Sequence, residues 1–337
     1  MTTTRVPVEE LRALAERCLI AANTSEWNAQ SVAKALVQAD IDGQKGHGVV
    51  RVATYSAQSR TGKVDGHAKP KMTRTRPGSL MIDVANGFAF RAFELATEEL
   101  PKLAHETGIA AAGFVRSHHA GALGQAVERL ADAGMMAMMF ANTPHAMTAW
   151  GGKRGVFGTN PIAFAAPRAN GAPIIIDLAL SQVVRGKILS AAQRGEPIPE
   201  GWANDAEGRP TTDAKAALKG TVLPIGGPKG AALALMVEIL AGSLTGANQA
   251  FEATSLFDGE GNPPGIGQFL IAIDPGAFGG PAAAQKIELL ASTIEADTGT
   301  RLPGASRRET REAAARDGVS IEDGLLASLN EMAQQTA

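Results

Sequence analysis

The chain has 337 residues, 45% of them apolar and 20% charged, and its 32 Lys and Arg residues face 34 Asp and Glu residues, for a formal net charge of −2. A disordered chain would have fewer apolar residues and a larger charge imbalance, and a protein that binds the nucleic acid backbone usually has a basic surplus. The composition therefore predicts a soluble globular protein of one large or two medium domains and argues against nucleic acid as a main partner.

Helices are predicted at both ends of the chain and strands in the middle. Helical periodicity indicates helices over 7–22, 26–42, 90–107, 121–133, 182–194 and 229–245 and in the tail from about 283. Short apolar runs indicate strands over 79–84, 109–115, 135–141, 161–166, 174–178 and 269–273. Ser25 is expected to cap the second helix, and residues 196–219 are expected to form a long turn-like connection.

This order of elements predicts a mixed α/β protein. The helical domain is expected to be formed by both termini, residues 1–78 plus 283–337. The β-rich central domain is expected to span residues 79–282.

The single cysteine, Cys18, lies in an apolar stretch, so an internal disulfide is impossible and a buried core thiol is expected. The first residues reach charged side chains at once, which does not match a secretory signal, and no apolar run approaches the ~18–20 residues of a membrane span. These features predict a cytoplasmic protein.

The segment 46–51 combines glycine, histidine and arginine in the way that binding sites do. His47 lies between two glycines, so its ring can be presented to a cleft, and an imidazole suits proton exchange with a carbonyl oxygen near neutral pH. A histidine that only binds turn carbonyls is an equally open interpretation. Arg51 is placed to pair with a carboxylate, although a surface salt bridge is the more common role for such a residue.

Two further segments carry similar chemistry. His118 and His119 lie where a strand gives way to a helix, and helix N-terminal N–H groups attract anions there. A third metal ligand is missing, so a metal site is not expected. Lys229 follows a glycine–proline turn at the start of an apolar helix and could meet a phosphate, while a simple N-terminal turn is equally open.

Several familiar templates are missing from the sequence. It contains no Gly-x-Gly-x-x-Gly after a strand, no Gly-x-x-x-x-Gly-Lys-Ser/Thr and no Gly-x-Ser-x-Gly. A standard Rossmann dehydrogenase, a P-loop enzyme and an α/β-hydrolase are therefore disfavoured. The residues by themselves indicate an enzyme with a histidine acid/base and a ligand that carries phosphate.

Longer blocks of sequence extend this interpretation. They are GHGVVR (46–51), SHHAG (117–121), AWGGKRGVFGTNPIAFAAPR (149–168), IIDLALSQVVRGKI (175–188), RGEPIPEGWANDAEGRPTTD (194–213), LPIGGPKGAALALMVEILAGSLTGA (223–247) and LPG (302–304). In these blocks the chain resembles the type-2 malate/L-lactate dehydrogenase family, also called sulfolactate dehydrogenase-like. The resemblance implies an NAD(P)-dependent oxidoreductase with a non-Rossmann fold of its own, and a homodimer with its cleft near the subunit interface.

The resemblance also implies roles for individual residues. His47 would be the proton donor and acceptor, His119 a second catalytic histidine, Arg51 the anchor of the substrate carboxylate and His118 a further substrate contact. Asp177 would either line the cofactor or orient a histidine. The residues implied to bind the cofactor are Thr143, Thr159, Asn160, Asp177, Leu178, Ala179, Lys229, Pro303, Gly304 and Arg307. Many relatives have serine where this chain has Gly46, so a hydrogen bond made by that serine is lost here.

The implied reaction transfers a hydride between nicotinamide C4 and C2 of a small 2-hydroxy or 2-oxo acid of the malate, lactate or sulfolactate type. The cations Lys45, Arg51, Lys153, Arg154 and Arg185 favour a dianionic substrate. Reduction of a cyclic imino acid, Δ1-piperideine- or Δ1-pyrroline-2-carboxylate, is the close alternative, and a non-catalytic nucleotide-binding protein is a remote one. Arg307 and Arg308 could meet a 2′-phosphate, which favours NADP over NAD.

Overall fold

The computed structural model describes residues 2–334 and contains helices and strands in a mixed α/β arrangement. The helices are α1 (Val8–Ile20), α2 (Glu26–Ile41), α3 (Val52–Thr61), α4 (Phe90–Thr107), α5 (Gly124–Asp132), α6 (Arg185–Arg194), α7 (Ala214–Lys219), α8 (Pro228–Glu238), α9 (Gly276–Gly279), α10 (Pro281–Glu295), α11 (Ala305–Asp317) and α12 (Asp323–Gln334). The strands are β1 (Thr3–Val6), β2 (Lys71–Arg76), β3 (Ser79–Asp83), β4 (Ile109–Ser117), β5 (Met136–Ala141), β6 (Met147–Thr148), β7 (Gly155–Phe157), β8 (Ile162–Ala166), β9 (Ile174–Leu178), β10 (Ala203–Asn204), β11 (Pro210–Thr211), β12 (Thr221–Val222), β13 (Ile266–Ile273) and β14 (Val319–Glu322).

A seven-stranded sheet in the order β2-β3-β4-β13-β5-β8-β9 forms the centre of the protein. The late strand β13 runs antiparallel between β4 and β5, with Leu270 opposite both Ala112 and Met139. Within this sheet of the described residues, β3 and β4 are the one parallel pair, and α4 connects them. A mostly antiparallel sheet of this order differs from the parallel doubly wound sheet of a Rossmann domain, so the predicted mixed, non-Rossmann α/β class is confirmed.

Helices α4 and α5 cover this sheet because their apolar residues recur at helical spacing. Along α4 the buried positions include Phe93, Ala96, Leu100 and Leu103, and on α5 Leu130 is fully buried. These side chains form one core with the inward residues of the strands. The rigid layer that results holds the ends of β4, β5, β8 and β9 in fixed relation.

The two chain termini form a second core. Strand β1 pairs antiparallel with β14, and α1 packs against α2 and α12. Cys18 is fully buried in this core and its Sγ donates to the Leu329 carbonyl, as expected for a core thiol. Burial raises the pKa of the Cys18 thiol to about 11. Ser25 caps α2 as predicted, accepting from the Asn28 backbone N–H at 3.3 Å.

A third core lies under the small sheet β11-β10-β12-β6-β7, where α6, α7 and α8 pack. The prediction of a turn-like connection over 196–219 was wrong in part, because it contains β10, β11 and α7. Its strands are only two residues long, which is too short for an alternating apolar pattern to be visible in the sequence. The single helix expected over 229–245 is α8 followed by a π-helical turn, Ile239–Ser243.

Strand β2 lies at the edge of the central sheet, and Arg168 before β9 is paired with Glu288 and Glu295 of α10. The division into two domains, residues 1–78 plus 283–337 and residues 79–282, stays a prediction.

Across residues 2–334, every helix is too short or too polar to cross a membrane.

Arg311 of α11 joins three segments of the fold through two bidentate ion pairs. Its Nε lies 2.7 Å from Asp42 Oδ1 at the end of α2, and its Nη1 lies 2.6 Å from Glu128 Oε1 of α5. The side chain of Asp42 is 0% exposed, so this pairing compensates a carboxylate that water cannot reach. The carboxylates hold the pKa of the guanidinium above its ordinary value.

We expect Arg311→Ala to lower the free energy of unfolding by about 3–5 kcal/mol, because it leaves the buried Asp42 carboxylate without its charged partner. Arg308→Ala is the matched control on the same helix, since its pair with Glu312 is solvent-exposed and should contribute less than about 1 kcal/mol. Urea unfolding of the two variants measures the difference. Equal losses for both would show that the bridge does not stabilise the fold.

Candidate active site

His47 lies on a short segment that follows α2, where two 3₁₀ turns, Lys45–His47 and Val49–Arg51, lead into α3. The buried carboxylate of Asp40 fixes this segment, because its Oδ2 accepts from the Val49 backbone N–H at 2.7 Å. Burial raises the pKa of Asp40 to about 6. A Cβ atom on Gly48 would overlap all three terminal atoms of this carboxyl group, so only glycine fits at that position.

His47 stacks on His119, with ring centroids 5.3 Å apart and an interplanar angle of 17°. Tyr55 of α3 lies behind this pair, and its hydroxyl is 2.6 Å from Nδ1 of His119. Burial raises the pKa of Tyr55, so the phenol stays protonated and donates to Nδ1. This assigns the remaining ring proton of His119 to Nε2.

His118 points into the interior, where it packs edge-on against Tyr55 and Phe88. Both ring nitrogens are buried and have no partner among residues 2–334. Burial, with smaller effects from the charges of Lys63 and Arg51, lowers the pKa of His118 to about 3. Its ring is therefore neutral at every physiological pH.

Arg51 supplies the positive charge of this site. Its Nε donates to the Gly46 carbonyl at 2.8 Å, and its guanidinium lies 5.0 Å from the ring centre of Phe257. Burial lowers the pKa of His47, the Arg51 charge lowers it further, and Asp177 raises it in part. Burial and then Arg51 also hold the pKa of His119 well below its ordinary value. The result is a set of neutral rings beside the Arg51 cation, with the Lys63 charge also acting on His118.

Asp177, at the end of β9, connects the histidine segment to the rest of the site. Its Oδ2 accepts from the Gly124 backbone N–H at 2.9 Å and from Gln44 Nε2 at 3.1 Å, and lies 3.5 Å from Arg307 Nη2. The backbone donor is the start of α5, where a negative charge is favoured by the helix dipole. One carboxylate thus fixes the segment before His47, helix α5 and helix α11 together.

The residues expected to bind a cofactor lie along the β9 edge. Thr143 and Thr159 are joined by a bond from the Thr159 N–H to Thr143 Oγ1 at 2.9 Å. The carbonyl of Thr159 accepts from the N–H of Leu180, which follows Leu178 and Ala179. The turn at Pro303 and Gly304 bonds back to β9, and Arg307 follows on α11.

Lys229 is exposed at the start of α8, where Gly227 has φ 63° and Pro228 occupies the first helical position. The preceding Ile225 N–H donates to the Leu180 carbonyl at 2.9 Å, which joins this turn to the β9 edge. Nη1 of Arg307 is buried and has no partner among the described residues. An exposed helix start with a lysine and an unpaired buried arginine nitrogen fit an anionic, phosphate-bearing group.

Asn160 is fully buried and has φ 41°, and its side chain braces the site from behind. Its Nδ2 donates to Glu238 Oε2 at 2.8 Å, while Asn142 Nδ2 donates to Oε1 of the same glutamate at 3.0 Å. Glu238 therefore holds the two turns that carry Thr143 and Thr159. Reasoning from the sequence missed Glu238, although a lone carboxylate inside a strongly apolar helix was the signal that could have found it.

Other residues singled out in the sequence lie elsewhere. Lys45 donates to the Ser320 carbonyl of β14, and Arg185 Nη2 donates to the Leu218 carbonyl at 2.6 Å. Lys153 and Arg154 are exposed, with Lys153 packed against Gly208. Of the five cations proposed for a dianionic substrate, the structure brings Arg51 into electrostatic reach of the three histidines. No metal-binding group of three His, Cys, Asp or Glu residues is found between residues 2 and 334.

The fold and this site define a class of enzyme that has a histidine pair beside an arginine, with Lys229 and Arg307 as candidate anion-binding residues near the edge of a largely antiparallel sheet. The family model of the malate/L-lactate dehydrogenases matches residues 6–330. The chain belongs to this family and is an oxidoreductase, as the resemblance implied.

Relatives and solved structures agree with this assignment. The chain is 44% identical over 306 residues to (2R)-3-sulfolactate dehydrogenase (NADP(+)) of Chromohalobacter salexigens, covering 91% of each protein. It is 42% identical to a Δ1-pyrroline-2-carboxylate/Δ1-piperideine-2-carboxylate reductase of Pseudomonas aeruginosa, covering 95% of this chain and 97% of that one. The crystal structure of Δ1-piperideine-2-carboxylate reductase from Pseudomonas syringae pathovar tomato superposes with a TM-score of 0.93 at 37% identity, covering 98% and 100%.

We expect Gly48→Ala to displace the His47 segment, because the added methyl group overlaps the Asp40 carboxyl group. The free energy of unfolding should fall by about 1–3 kcal/mol, and the imidazole NMR signals of His47 should shift. Gly46→Ala is the matched control, since a Cβ there meets nothing within 4 Å. Similar spectra and stabilities for the two variants would contradict the role given to Asp40.

Proposed function

We propose that this protein transfers a hydride between a nicotinamide cofactor and C2 of a small 2-oxo or 2-hydroxy carboxylate. The observation that carries the proposal is the neutral His47 ring stacked on His119, with Arg51 close enough to lower the pKa of both. A neutral imidazole accepts a proton from a substrate hydroxyl, and its conjugate acid returns one to a carbonyl oxygen.

His47 is the proposed acid and base of the reaction. Its Nδ1 is buried without a partner among the described residues, so Nε2 is the nitrogen we assign to proton exchange with substrate. In the reductive direction His47 donates the proton that the substrate oxygen gains as the electron pair of the C2=O bond moves onto it. His119, with Nε2 protonated through its bond to Tyr55, is available as a hydrogen-bond donor.

Arg51 is the proposed anchor of the substrate carboxylate. Its Nε is already held by Gly46, and no hydrogen bond from its two Nη atoms is found within residues 2–334. Those Nη atoms can bind both oxygens of a carboxylate. A bound anion would also offset the Arg51 charge and so raise the pKa of His47, which favours protonation when substrate is present.

The proposed cofactor residues are Thr143, Thr159, Leu178, Ala179, Lys229 and the turn from Pro303 to Arg307. When bound, the nicotinamide supplies a hydride to C2 or accepts one from it. Lys229 and Arg307 would bind phosphate groups of the cofactor. Thr143 and Thr159 would orient its other polar groups. Asp177 keeps its structural role in this scheme, since three donors already occupy it.

Reduction of the C=N bond of a cyclic imino acid is the second candidate. It is supported by the names of the reductases that match most of this chain, and by the side chains of Lys45 and Arg185, which are already bonded to the Ser320 and Leu218 carbonyls. A non-catalytic nucleotide-binding protein would bind NADPH without turnover. A panel of 2-oxo acids and cyclic imines with NADH and NADPH separates the three cases.

We expect His47→Ala to slow single-turnover hydride transfer by about 10²–10⁴-fold, because the variant lacks the proton donor. The control is His105→Ala, which removes an exposed histidine paired with Asp274. A His47→Ala rate within about tenfold of wild type would contradict general acid catalysis by this residue.

The pH profile gives an independent check on His47. Since its pKa lies below the ordinary 6.5, oxidation of the hydroxy acid should lose kcat/KM only as the pH falls through that lowered pKa. Reduction, which needs protonated His47, should lose kcat/KM as the pH rises above it. Arg51→Gln should move both limbs to higher pH because it removes a charge that lowers the pKa. Unmoved limbs would exclude His47 as the titrating group.

We also propose that NADP is preferred over NAD, with Arg307 as the contact to the 2′-phosphate. The name of the sulfolactate dehydrogenase relative and the unpaired Nη1 of Arg307 support this preference. Arg307→Ala should lower the ratio of kcat/KM for NADPH over NADH by tenfold or more. Arg308→Ala, on the exposed side of α11, should leave the ratio unchanged. An unchanged ratio in Arg307→Ala would refute the assignment.

A homodimer is proposed from the apolar surface of α8. Leu235 and Met236 of α8 and Ile239 of the π-helical turn that follows are 48%, 38% and 51% exposed, and the first turn of α8 carries the proposed cofactor residue Lys229. Leu235→Asp should halve the molar mass measured by light scattering, whereas Phe278→Asp, at an exposed ring on α9, should not. A wild-type monomer would refute the proposal.

A cytoplasmic location stays a prediction, supported by the free, buried Cys18.

A further inference from the structure

Phe257 is a large apolar side chain that stays exposed beside the proposed substrate anchor. Its ring is 54% exposed, and its centre lies 5.0 Å from the guanidinium carbon of Arg51. A cation over an aromatic face is attracted by the ring quadrupole. The stacking covers a face of the guanidinium and leaves the N–H groups in its plane free for a carboxylate.

A buried lysine holds the loop that carries this ring. The side chain of Lys63 is 1% exposed, and its Nζ lies 2.9 Å from Asp258 Oδ1 and 3.2 Å from the Asp258 carbonyl. Gln58 Nε2 donates to the same carbonyl at 3.0 Å, and Thr61 Oγ1 donates to the Gly259 carbonyl at 2.8 Å. These bonds clamp the residues next to Phe257 onto the end of α3 and its following turn. The ring position is therefore set by the fold.

Helix α3 holds both the Phe257 loop and the histidine cluster in place. Helix α3 carries Tyr55, which bonds His119, while Gln58 and Thr61 on the same helix hold the Phe257 loop. The charge of Lys63 contributes to lowering the pKa of His118, so Lys63 lies within electrostatic reach of the histidines. Helix α3 therefore positions both the histidine cluster and the Phe257 ring that contacts Arg51.

We propose that Phe257 is a specificity-determining residue that selects the substituent at C3 of the substrate. This inference rests on the proposed function, because it takes Arg51 as the carboxylate anchor. A carboxylate bound to the Nη atoms in the plane of the guanidinium leaves C3 of the substrate next to the stacked ring, so a C3 substituent that turns out of that plane meets Phe257. Methylene groups there bury apolar surface against the ring, whereas a second anion at C3 loses hydration against an apolar side chain.

The charged side chains of the region also favour a substrate with a single negative charge. A second carboxylate or a sulfonate needs a second cation, but Lys45 and Arg185 bond to backbone carbonyls elsewhere, and Lys63 is engaged by Asp258. The wall beside Arg51 consequently favours a monoanion with a hydrocarbon ring or chain, such as a cyclic imino acid, over a dianion.

Binding of unreactive probes tests this selection without turnover. Pyrrole-2-carboxylate is the planar cyclic monoanion and malonate the dianion, each titrated calorimetrically into the protein with saturating NADP⁺. Wild type should bind pyrrole-2-carboxylate more tightly than malonate. Phe257→Ala should weaken binding of pyrrole-2-carboxylate by tenfold or more and change that of malonate by less than threefold. The matched control is Phe251→Ala, an equally exposed ring of the same loop that does not contact Arg51.

Three results would overturn the inference: parallel losses for both probes in Phe257→Ala, equal losses in Phe251→Ala, or a wild-type protein that prefers malonate or binds neither probe. Parallel losses would mean that the ring only orients Arg51. The outcome is separate from that of the proposed function, which fails if His47→Ala retains hydride transfer, whatever the two probes do.

Discussion

The carboxylate of Asp177 is the contact on which the geometry of the site depends. It lies at the end of an edge strand, and its Oδ2 binds the start of α5, the side chain of Gln44 and, at longer range, Arg307. Gln44 begins the segment that carries His47, and Arg307 belongs to the turn proposed to bind the cofactor. A half-buried anion with donors from separate elements fixes the relative positions of these elements, and hydride transfer between two bound partners needs such fixed positions.

Burial then sets the chemistry of the histidines. His118 and His119 lose most of their contact with water, which disfavours their charged forms, and the Arg51 charge acts in the same direction on both and on His47. The rings stay neutral and leave Arg51 as the charge that an anionic ligand meets. Tyr55, too deeply buried to ionise, fixes the tautomer of His119 through one short hydrogen bond.

A second buried carboxylate performs the equivalent task on the opposite side of the sheet. Glu238 accepts from Asn142, Asn160 and the Ala250 N–H, so its lone pairs are satisfied without a cation. The positive φ of Asn160 is maintained by these bonds, and it turns the chain sharply after Thr159. Asp177 and Glu238 thus hold in place the backbone turns that carry the proposed ligand-binding side chains.

The sequence by itself determined most of the helices and the long central strands, because these depend on local periodicity and on caps such as Ser25. It missed α3, whose buried side is defined by its packing in the terminal core. Glycine and histidine clusters are visible without a structure and predicted which segments carry the chemistry, and the longer blocks identified the family. Only the tertiary structure decided which of those segments meet. Gln44 and Asp177 are 133 residues apart, and Phe257 reaches Arg51 from a loop for which no local pattern predicted a role. Such contacts come from the pairing of β13 between β4 and β5 and from the packing of buried carboxylates, which are non-local interactions that leave no period in the chain.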